Sequence, residues 1–167
     1  YARAPYRDDM LALVGRVFDA PALTLGELAR ASLLSLVDYF GLRQGREFCD
    51  SRTLGIAGSS SERLRDIVLA VNGTKYVTGH GARNYLDHEM LERSGIAVDY
   101  IAYNLHSYPQ QHGPFTPFVT ALDLVANCGP GVRPLLSSGS IHWKLFLAGQ
   151  LPKPEEVNGW TSAQYTS

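Results

Sequence analysis

The fold is decided by residues 75–101, which read KYVTGHGARNYLDHEMLERSGIAVDYI. The stretch opens and closes with runs rich in β-branched and aromatic residues, and these runs predict strands over 75–78 and 96–101. Between them we expect a glycine-flanked turn at 79–83 and then a helix from about residue 84 to 93. A strand, a helix and a second strand in this order predict parallel pairing through a right-handed crossover.

The residues before this stretch show mainly helical patterns. Apolar residues at helical spacing predict a first helix over 7–19. Thr24 and Glu27 have the spacing of a capping box, and they predict the start of a second helix that runs to residue 40. Five apolar side chains of this second helix are expected to be buried: Leu25, Ala29, Leu33, Leu36 and Phe40.

Further elements complete the pattern on both sides. A short strand is expected at 47–49, and Ser59 with Glu62 predicts a second capping box, followed by a helix to about residue 71. After the deciding stretch, helices are expected over 117–126 and 141–148.

The order of these elements predicts an α/β fold, a three-layer, mainly parallel Rossmann-like sheet with flanking helices. We expect a single α/β domain over residues 1–150, lacking its N-terminal strand region, because a helical pattern and no strand opens the chain. Residues 151–167 are expected to form a polar C-terminal tail.

Charge and composition exclude several classes of function. The 167 residues include 15 basic and 16 acidic side chains, a formal net charge of −1, which gives no electrostatic reason to expect nucleic acid or a membrane as a partner. Two cysteines form no disulfide framework, so a cytoplasmic location is expected. The histidines and cysteines lack metal-site spacing, so we expect neither a metal nor another cofactor.

Ligands of open parallel sheets bind beyond the carboxyl ends of the strands. Two loops leave such ends in this chain, over 79–83 and 104–116, and each carries a histidine. In the first loop, His80 is a candidate acid–base residue, and Arg83 is a candidate anion ligand beside a helix N-terminus. For both, an exposed residue without a function remains an open alternative.

The second loop contains Tyr108-Pro109-Gln110-Gln111-His112-Gly113-Pro114-Phe115-Thr116-Pro117. Three prolines exclude a regular helix or a central strand, so we expect a shaped loop, and loops of this kind are often functional. His112 is a candidate general base, although a histidine that only bonds its own loop fits as well.

Cys128 is the candidate nucleophile, with Asp123 of the preceding helix as a residue that orients the histidine. A thiolate needs a lowered pKa, yet the dipole at a helix C-terminus acts in the wrong direction. An inert buried thiol therefore stays an open alternative for Cys128. Cys49 is expected in the core and His88 on the surface.

The sequence resembles the WbqC-like proteins in a series of segments from residue 1 to about 130. The segments that carry the resemblance include Ser59-Ser60-Ser61-Glu62-Arg63-Leu64, Thr74-Lys75-Tyr76-Val77-Thr78-Gly79, Tyr108-Pro109-Gln110-Gln111-His112-Gly113 and Asn127-Cys128-Gly129-Pro130. The His-containing motif on the first strand and loop of that family is absent here, which supports the expectation that a strand region is lacking.

The resemblance implies a biosynthetic enzyme, in the context of bacterial surface polysaccharides and amino-sugar metabolites. It favours a cysteine-dependent acyl- or aminoacyl-transferase that forms an amide from a carrier-bound thioester and an amine such as an amino sugar. An acyl carrier protein or a small-molecule thioester would be the donor. Tyr108, Gln111 and Asn127 of the shared motifs are expected to bind substrate.

Two alternatives stay open. The first is a nucleotide or nucleotide-sugar binding enzyme of nucleotidyltransferase-like type, in which Arg83 and the histidines bind phosphates and no thiol nucleophile is needed. The second is a non-catalytic partner in a biosynthetic complex, because a sheet without its first strand exposes apolar surface.

Overall fold

The computed structural model describes residues 1–150, which form two compact units. Of these residues, 1–47 and 105–137 belong to the first unit, and 48–104 and 138–150 belong to the second. The α-helices are α1 (Arg7–Asp19), α2 (Leu25–Tyr39), α3 (Ser60–Ala70), α4 (His88–Arg93), α5 (Ala121–Cys128) and α6 (Trp143–Leu147), and the strands are β1 (Lys75–Thr78), β2 (Ala97–Ala102) and β3 (Gly139–His142). Three 3₁₀ helices span Ser51–Leu54, His80–Asn84 and Pro130–Leu136.

The first unit is helical, and α1 packs against both α2 and α5. Its core contains side chains from α1, from the residue that caps α2, from α5 and from the segment after α5: Leu13, Phe40, Leu124, Val125, Cys128 and Val132. The predicted capping box is confirmed, because the Thr24 hydroxyl accepts from the Glu27 backbone N–H and the Glu27 carboxylate accepts from the Thr24 N–H.

Burial along α2 differs from the prediction at several positions. Leu25 and Leu33 are 82% and 57% exposed and Ala29 is exposed as well, so these three predictions were wrong. Phe40 is buried as predicted, and Val37 is buried too. Leu36 is partly buried against the core. The helix is apolar around much of its circumference, so its sequence pattern does not fix which stripe faces the core.

The second unit is built on a three-stranded sheet with the order β1-β2-β3. The predicted crossover is confirmed, because β1 and β2 pair in parallel with Lys75 opposite Ala97. β3, however, runs antiparallel to β2, with Asp99 opposite His142. The described residues therefore form a mixed α/β structure with a small mixed sheet, and the mainly parallel three-layer sheet is not found among them.

One buried carboxylate joins all three strands of the sheet. Asp99 of β2 accepts hydrogen bonds from Lys75 Nζ of β1 and from Ser140 Oγ of β3, both at 2.7 Å. Burial raises the pKa of Asp99, but these hydrogen bonds outweigh that effect and hold the pKa below its ordinary value. The carboxylate thus stays charged and holds the strands in register.

The core of the second unit includes a histidine that the sequence placed on the surface. That prediction was wrong, because His88 is 7% exposed. Its Nε2 lies 2.8 Å from the Tyr100 hydroxyl, and its ring stacks on Trp143 with the centroids 4.6 Å apart. Its position as the first residue of α4, directed at β2, makes it part of the core.

Several local predictions also need correction. The segment at 47–49 forms no strand, and Cys49 is exposed instead of buried. Ser59 makes no side-chain cap, because Ser60 adopts a left-handed φ of 54° and the usual geometry of the first helical turn is lost. Residues 80–84 form a 3₁₀ helix, so α4 starts later than predicted, at the Asp87 cap.

The last two helices also differ from their predicted bounds. The expected helix over 117–126 begins only at Ala121, because Thr120 takes the extended conformation of an N-cap. The expected helix over 141–148 is divided between β3 and α6. The single domain expected over residues 1–150 stays a prediction, and the expected tail over 151–167 lies outside the described residues.

His88 makes the stability of the protein sensitive to pH. Burial lowers the pKa of His88 from its ordinary value near 6.5, against the raising effect of Asp87 and Glu92, so the unfolded chain binds this proton first as the pH falls. The stabilisation is therefore intact above about pH 6.5 and is lost below it, by at most about 1.4 kcal/mol per pH unit.

We expect His88→Gln, which does not titrate, to be less stable than the wild type at about pH 7.5 and to approach it at about pH 5.5. Urea unfolding at both pH values measures this difference. His112→Gln removes an exposed histidine and is the matched control. A His88→Gln deficit that is the same at both pH values would contradict the assignment.

Candidate functional site

The proline-rich loop of the first unit is held in shape by one glutamine. Gln110 Oε1 accepts from the Thr116 backbone N–H at 2.9 Å, and Gln110 Nε2 donates to the Thr116 carbonyl at 3.0 Å. This pair of bonds closes the loop around Gly113, which has a left-handed φ of 69°. The predicted shaped loop is confirmed, since no helix or strand forms between residues 103 and 120.

The loop converges on the carboxylate of Asp123, in the first turn of α5. Asp123 is only 6% exposed. Its Oδ2 accepts from the Tyr108 hydroxyl at 2.8 Å and from Gln110 Nε2 at 3.0 Å, and its Oδ1 accepts from the Tyr1 hydroxyl at 2.6 Å. We call these four residues the Asp123 cluster.

Both tyrosines of the Asp123 cluster are held in their protonated form. Burial and the hydrogen bond to Asp123 raise the pKa of Tyr108. The hydrogen bond to Asp123 raises the pKa of Tyr1, with smaller contributions from burial and from the carboxylate charge. The two hydroxyls therefore act as hydrogen-bond donors at neutral pH, and they compensate a charge that burial would otherwise make costly.

Cys128 is the last residue of α5 and is buried in the core of the first unit. Burial, with a smaller contribution from the carboxylate of Asp123, raises the pKa of Cys128 to about 11. Both effects favour the thiol over the thiolate. The burial of Cys128 agrees with the alternative that the sequence left open, in which this residue is an inert thiol.

The other predicted residues of the first unit are in different surroundings. His112 and Gln111 are exposed. Within residues 1–150, no hydrogen bond joins His112 to Cys128 or to Asp123. Asn127 is 3% exposed, and its Nδ2 donates to the Asp123 carbonyl at 2.9 Å, whereas its Oδ1 accepts no hydrogen bond from the described part of the chain.

His80 and Arg83 belong to the second unit, in the 3₁₀ helix after β1. His80 is exposed, and its Nε2 lies 2.7 Å from the carbonyl oxygen of Ile101 on β2. Arg83 is also exposed and lies in the last turn of that helix, so it does not stand at the start of α4 as expected. Their roles in catalysis and anion binding stay predictions.

Sequence reasoning missed two members of the Asp123 cluster, Gln110 and Tyr1. For Gln110 a signal was available. Side chains two residues apart on an extended chain point to the same side, so Gln110 and not Gln111 should accompany Tyr108. Tyr1 gave no such signal, because it lies 122 residues from Asp123 in the sequence.

Gly129 follows Cys128 and fixes how the chain leaves α5. Its φ of 70° and ψ of −162° lie in a region that only glycine adopts readily. A Cβ atom at this position would stand 2.5 Å from the ring of Tyr6. Tyr6 also donates its backbone N–H to the Ala126 carbonyl, so α1 and α5 meet here without room for a side chain.

Residues 1–150 contain neither a candidate metal site nor a candidate membrane span. No group of three or more His, Cys, Asp or Glu side chains is placed to bind a metal ion there. In the same residues, every helix is too short or too polar to cross a membrane.

These features define the class of protein, a mixed α/β chain in which a proline-rich loop encloses a buried carboxylate. The chain belongs to the WbqC-like protein family, whose model matches residues 1–133. The resemblance carried by the sequence motifs is thereby confirmed.

A curated relative is the Mycobacterium tuberculosis protein with the name "Uncharacterized protein Rv1507c". It is 31% identical to this chain over 106 residues, which are 63% of this chain and 45% of the relative. The match thus spans less than half of the length of that relative. No solved structure matches the chain.

The difference between the two cysteines can be measured by alkylation. With a pKa of about 11, Cys128 has about 300-fold less thiolate at neutral pH than an ordinary thiol of pKa ~8.5, and burial restricts access further. We expect iodoacetamide to label exposed Cys49 at least about 100-fold faster than Cys128. Mass spectrometry of Cys49→Ser and Cys128→Ala variants separates the two signals. Rapid labelling of Cys128 with an apparent pKa below ~8.5 would contradict the buried-thiol assignment.

Gly129→Ala is expected to lower the free energy of unfolding by about 2–5 kcal/mol, since it combines a strained backbone with a contact that forces Tyr6 to move. Chemical denaturation measures the loss. Gly131→Ala is the matched control, because a Cβ atom there meets nothing within 4 Å and its φ is not left-handed. Equal stability of the two variants would be evidence against the close approach of α1 and α5.

Proposed function

We propose that this chain belongs to a biosynthetic enzyme that transfers an acyl group from a thioester to an amine and so forms an amide. Membership of the WbqC-like family supports the biosynthetic context. The observation that carries the proposal is the Asp123 cluster, because it presents a buried carboxylate at the base of a loop built from the motif Tyr108-Pro109-Gln110-Gln111-His112.

The carboxylate of Asp123 has capacity for one more donor. A carboxylate offers about four acceptor positions. The hydroxyls of Tyr1 and Tyr108 and the amide of Gln110 use three of them. A substrate amine that reached the fourth position would be oriented by a charge that is already fixed and largely removed from water.

In the proposed reaction, the nitrogen of the neutral amine attacks the thioester carbonyl and forms the new C–N bond. Asp123 takes a proton from this nitrogen as general base. The C–S bond then breaks, and Asp123 returns the proton to the departing sulfur, so the products are an amide and a free thiol. No oxidant, metal or covalent enzyme intermediate is needed for this sequence of steps.

This proposal departs from the cysteine-dependent route that the sequence favoured. In that route Cys128 attacks the thioester after His112 or His80 has taken its proton. The high pKa of Cys128 and the position of Asp123 as the contributing charge weigh against a thiolate at neutral pH. Direct transfer needs only the carboxylate, so it is the route that the geometry supports better.

The nucleotide-binding alternative relies on Arg83 and His80 of the second unit. Arg83 is exposed, and His80 is engaged with the Ile101 carbonyl. No described feature of that unit adds a specific reason to prefer phosphate as the ligand, so we do not place it first.

The proposal is tested with S-butyryl-N-acetylcysteamine as donor and glucosamine as acceptor, by following thiol release and the amide by mass spectrometry. We expect Asp123→Asn to lower kcat by about 10²–10⁴-fold, the range for loss of a general base. Cys128→Ala is expected to keep most of the wild-type rate. Asp8→Asn, at an exposed acidic position of α1, is the matched control.

Two further readouts make this experiment decisive. Tyr108→Phe removes one donor to Asp123 and keeps the carboxylate, so it should lower kcat less than Asp123→Asn does. Near-ultraviolet circular dichroism checks that each variant is folded. Loss of activity in folded Cys128→Ala would instead support the covalent route, and full activity in folded Asp123→Asn would reject Asp123 as the general base.

A further inference from the structure

The first unit contains an apolar pocket between α1 and α2. Its volume is about 90 Å³, and α1 contributes Val14, Val17 and Phe18 to its walls. On the α2 side, the pocket is lined by Ser32 and Ser35. These serines are three residues apart and share one face of the helix, and their small side chains leave the space unfilled.

The pocket reaches the helix that carries the Asp123 cluster. Leu122 of α5 forms part of its lining, and the next residue is Asp123. The first turn of α5 thus contributes an apolar wall to the pocket and, one residue later, the carboxylate that the proposed reaction uses. Consecutive side chains of a helix point in different directions, so Asp123 does not itself line the pocket. The pocket lies one helix position away from the carboxylate, and its walls suit an apolar occupant.

The volume limits the size of that occupant. An apolar cavity of about 150 Å³ is large enough for benzene. A pocket of about 90 Å³ therefore has room for about three or four carbon atoms. The lining is apolar apart from the two serine hydroxyls, so it suits an aliphatic chain and offers no charged partner.

We propose that this pocket binds the acyl chain of the substrate and selects short aliphatic acyl groups of about three or four carbons. The assignment rests on the proposed acyl transfer and adds its chain-length specificity. Val14 and Val17 contact the chain from α1, while Ser35 of α2 and Leu122 of α5 close the remaining sides.

The first test measures binding without catalysis. Acetamide, butyramide and hexanamide are titrated into the protein, and the ¹³C-methyl signals of Leu13, Val14 and Val17 are followed by NMR. We expect butyramide to bind about tenfold more tightly than acetamide, because two more methylenes are buried. Hexanamide should bind no more tightly than butyramide, since the pocket is already filled.

Two variants probe the pocket in opposite directions. Ser35→Leu fills it and should abolish the butyramide shifts, whereas Ala29→Leu adds the same bulk at an exposed position of α2 outside the pocket and should leave them unchanged. Val17→Ala enlarges the pocket and should shift the preference toward hexanamide. The Val17→Ala variant keeps the test decisive if Ser35→Leu does not fold.

Several outcomes would overturn the inference. These are the absence of saturable shifts with any of the amides, shifts that persist in folded Ser35→Leu, and a further gain of about tenfold from butyramide to hexanamide, the value for two more buried methylenes.

A failure of the pocket and a failure of the proposed function can be told apart. Acyl transfer with equal kcat/KM for acetyl, butyryl and hexanoyl thioesters would reject the pocket assignment and keep the function. Butyramide binding that Ser35→Leu abolishes, in a protein that forms no amide from the butyryl thioester, would keep the pocket as a short-chain site and reject the function.

Discussion

The first unit depends on the compensation of one buried charge. Removing a carboxylate from water costs several kcal/mol unless donors replace the solvent, and Asp123 obtains three of them. Two of these donors belong to the loop after residue 104, so a different path of the loop would leave the charge with the Tyr1 hydroxyl as its only donor among the three. The same glutamine that donates to Asp123 also closes the loop on Thr116, which couples the shape of the loop to the charge.

The second unit solves a similar problem in its sheet. Asp99 lies on the central strand, and its donors come from the strands on either side. β3 follows β2 in the sheet only after the chain has passed through the first unit, so its pairing is not prescribed by local sequence. The Lys75–Asp99–Ser140 contacts give this distant strand a specific partner and a specific register.

Local signals predicted the parts of the fold that depend on neighbours in sequence. The Thr24 cap and the crossover from β1 to β2 follow from residues a few positions apart, and both are confirmed. The pairing of β3 and the burial of His88 depend on contacts 12 or more residues away. The sequence predicted a helix from residue 141 and a surface position for His88, and both predictions failed. The candidate site shows the same division. The sequence identified the loop and Asp123, but it could not show that Tyr1 completes the cluster.

The two residues that the sequence joined in one mechanism act against each other in the structure. Asp123 was expected to orient a histidine that deprotonates Cys128, yet its negative charge contributes to the high pKa of that thiol. A buried carboxylate and a nearby thiolate would be two like charges in a medium of low dielectric constant, and such pairs do not both ionise readily. Since burial and the charge of Asp123 both raise the pKa of Cys128, the thiol stays neutral at neutral pH. A mechanism that uses the negative charge of Asp123 therefore costs less free energy than one that must create a second negative charge on Cys128.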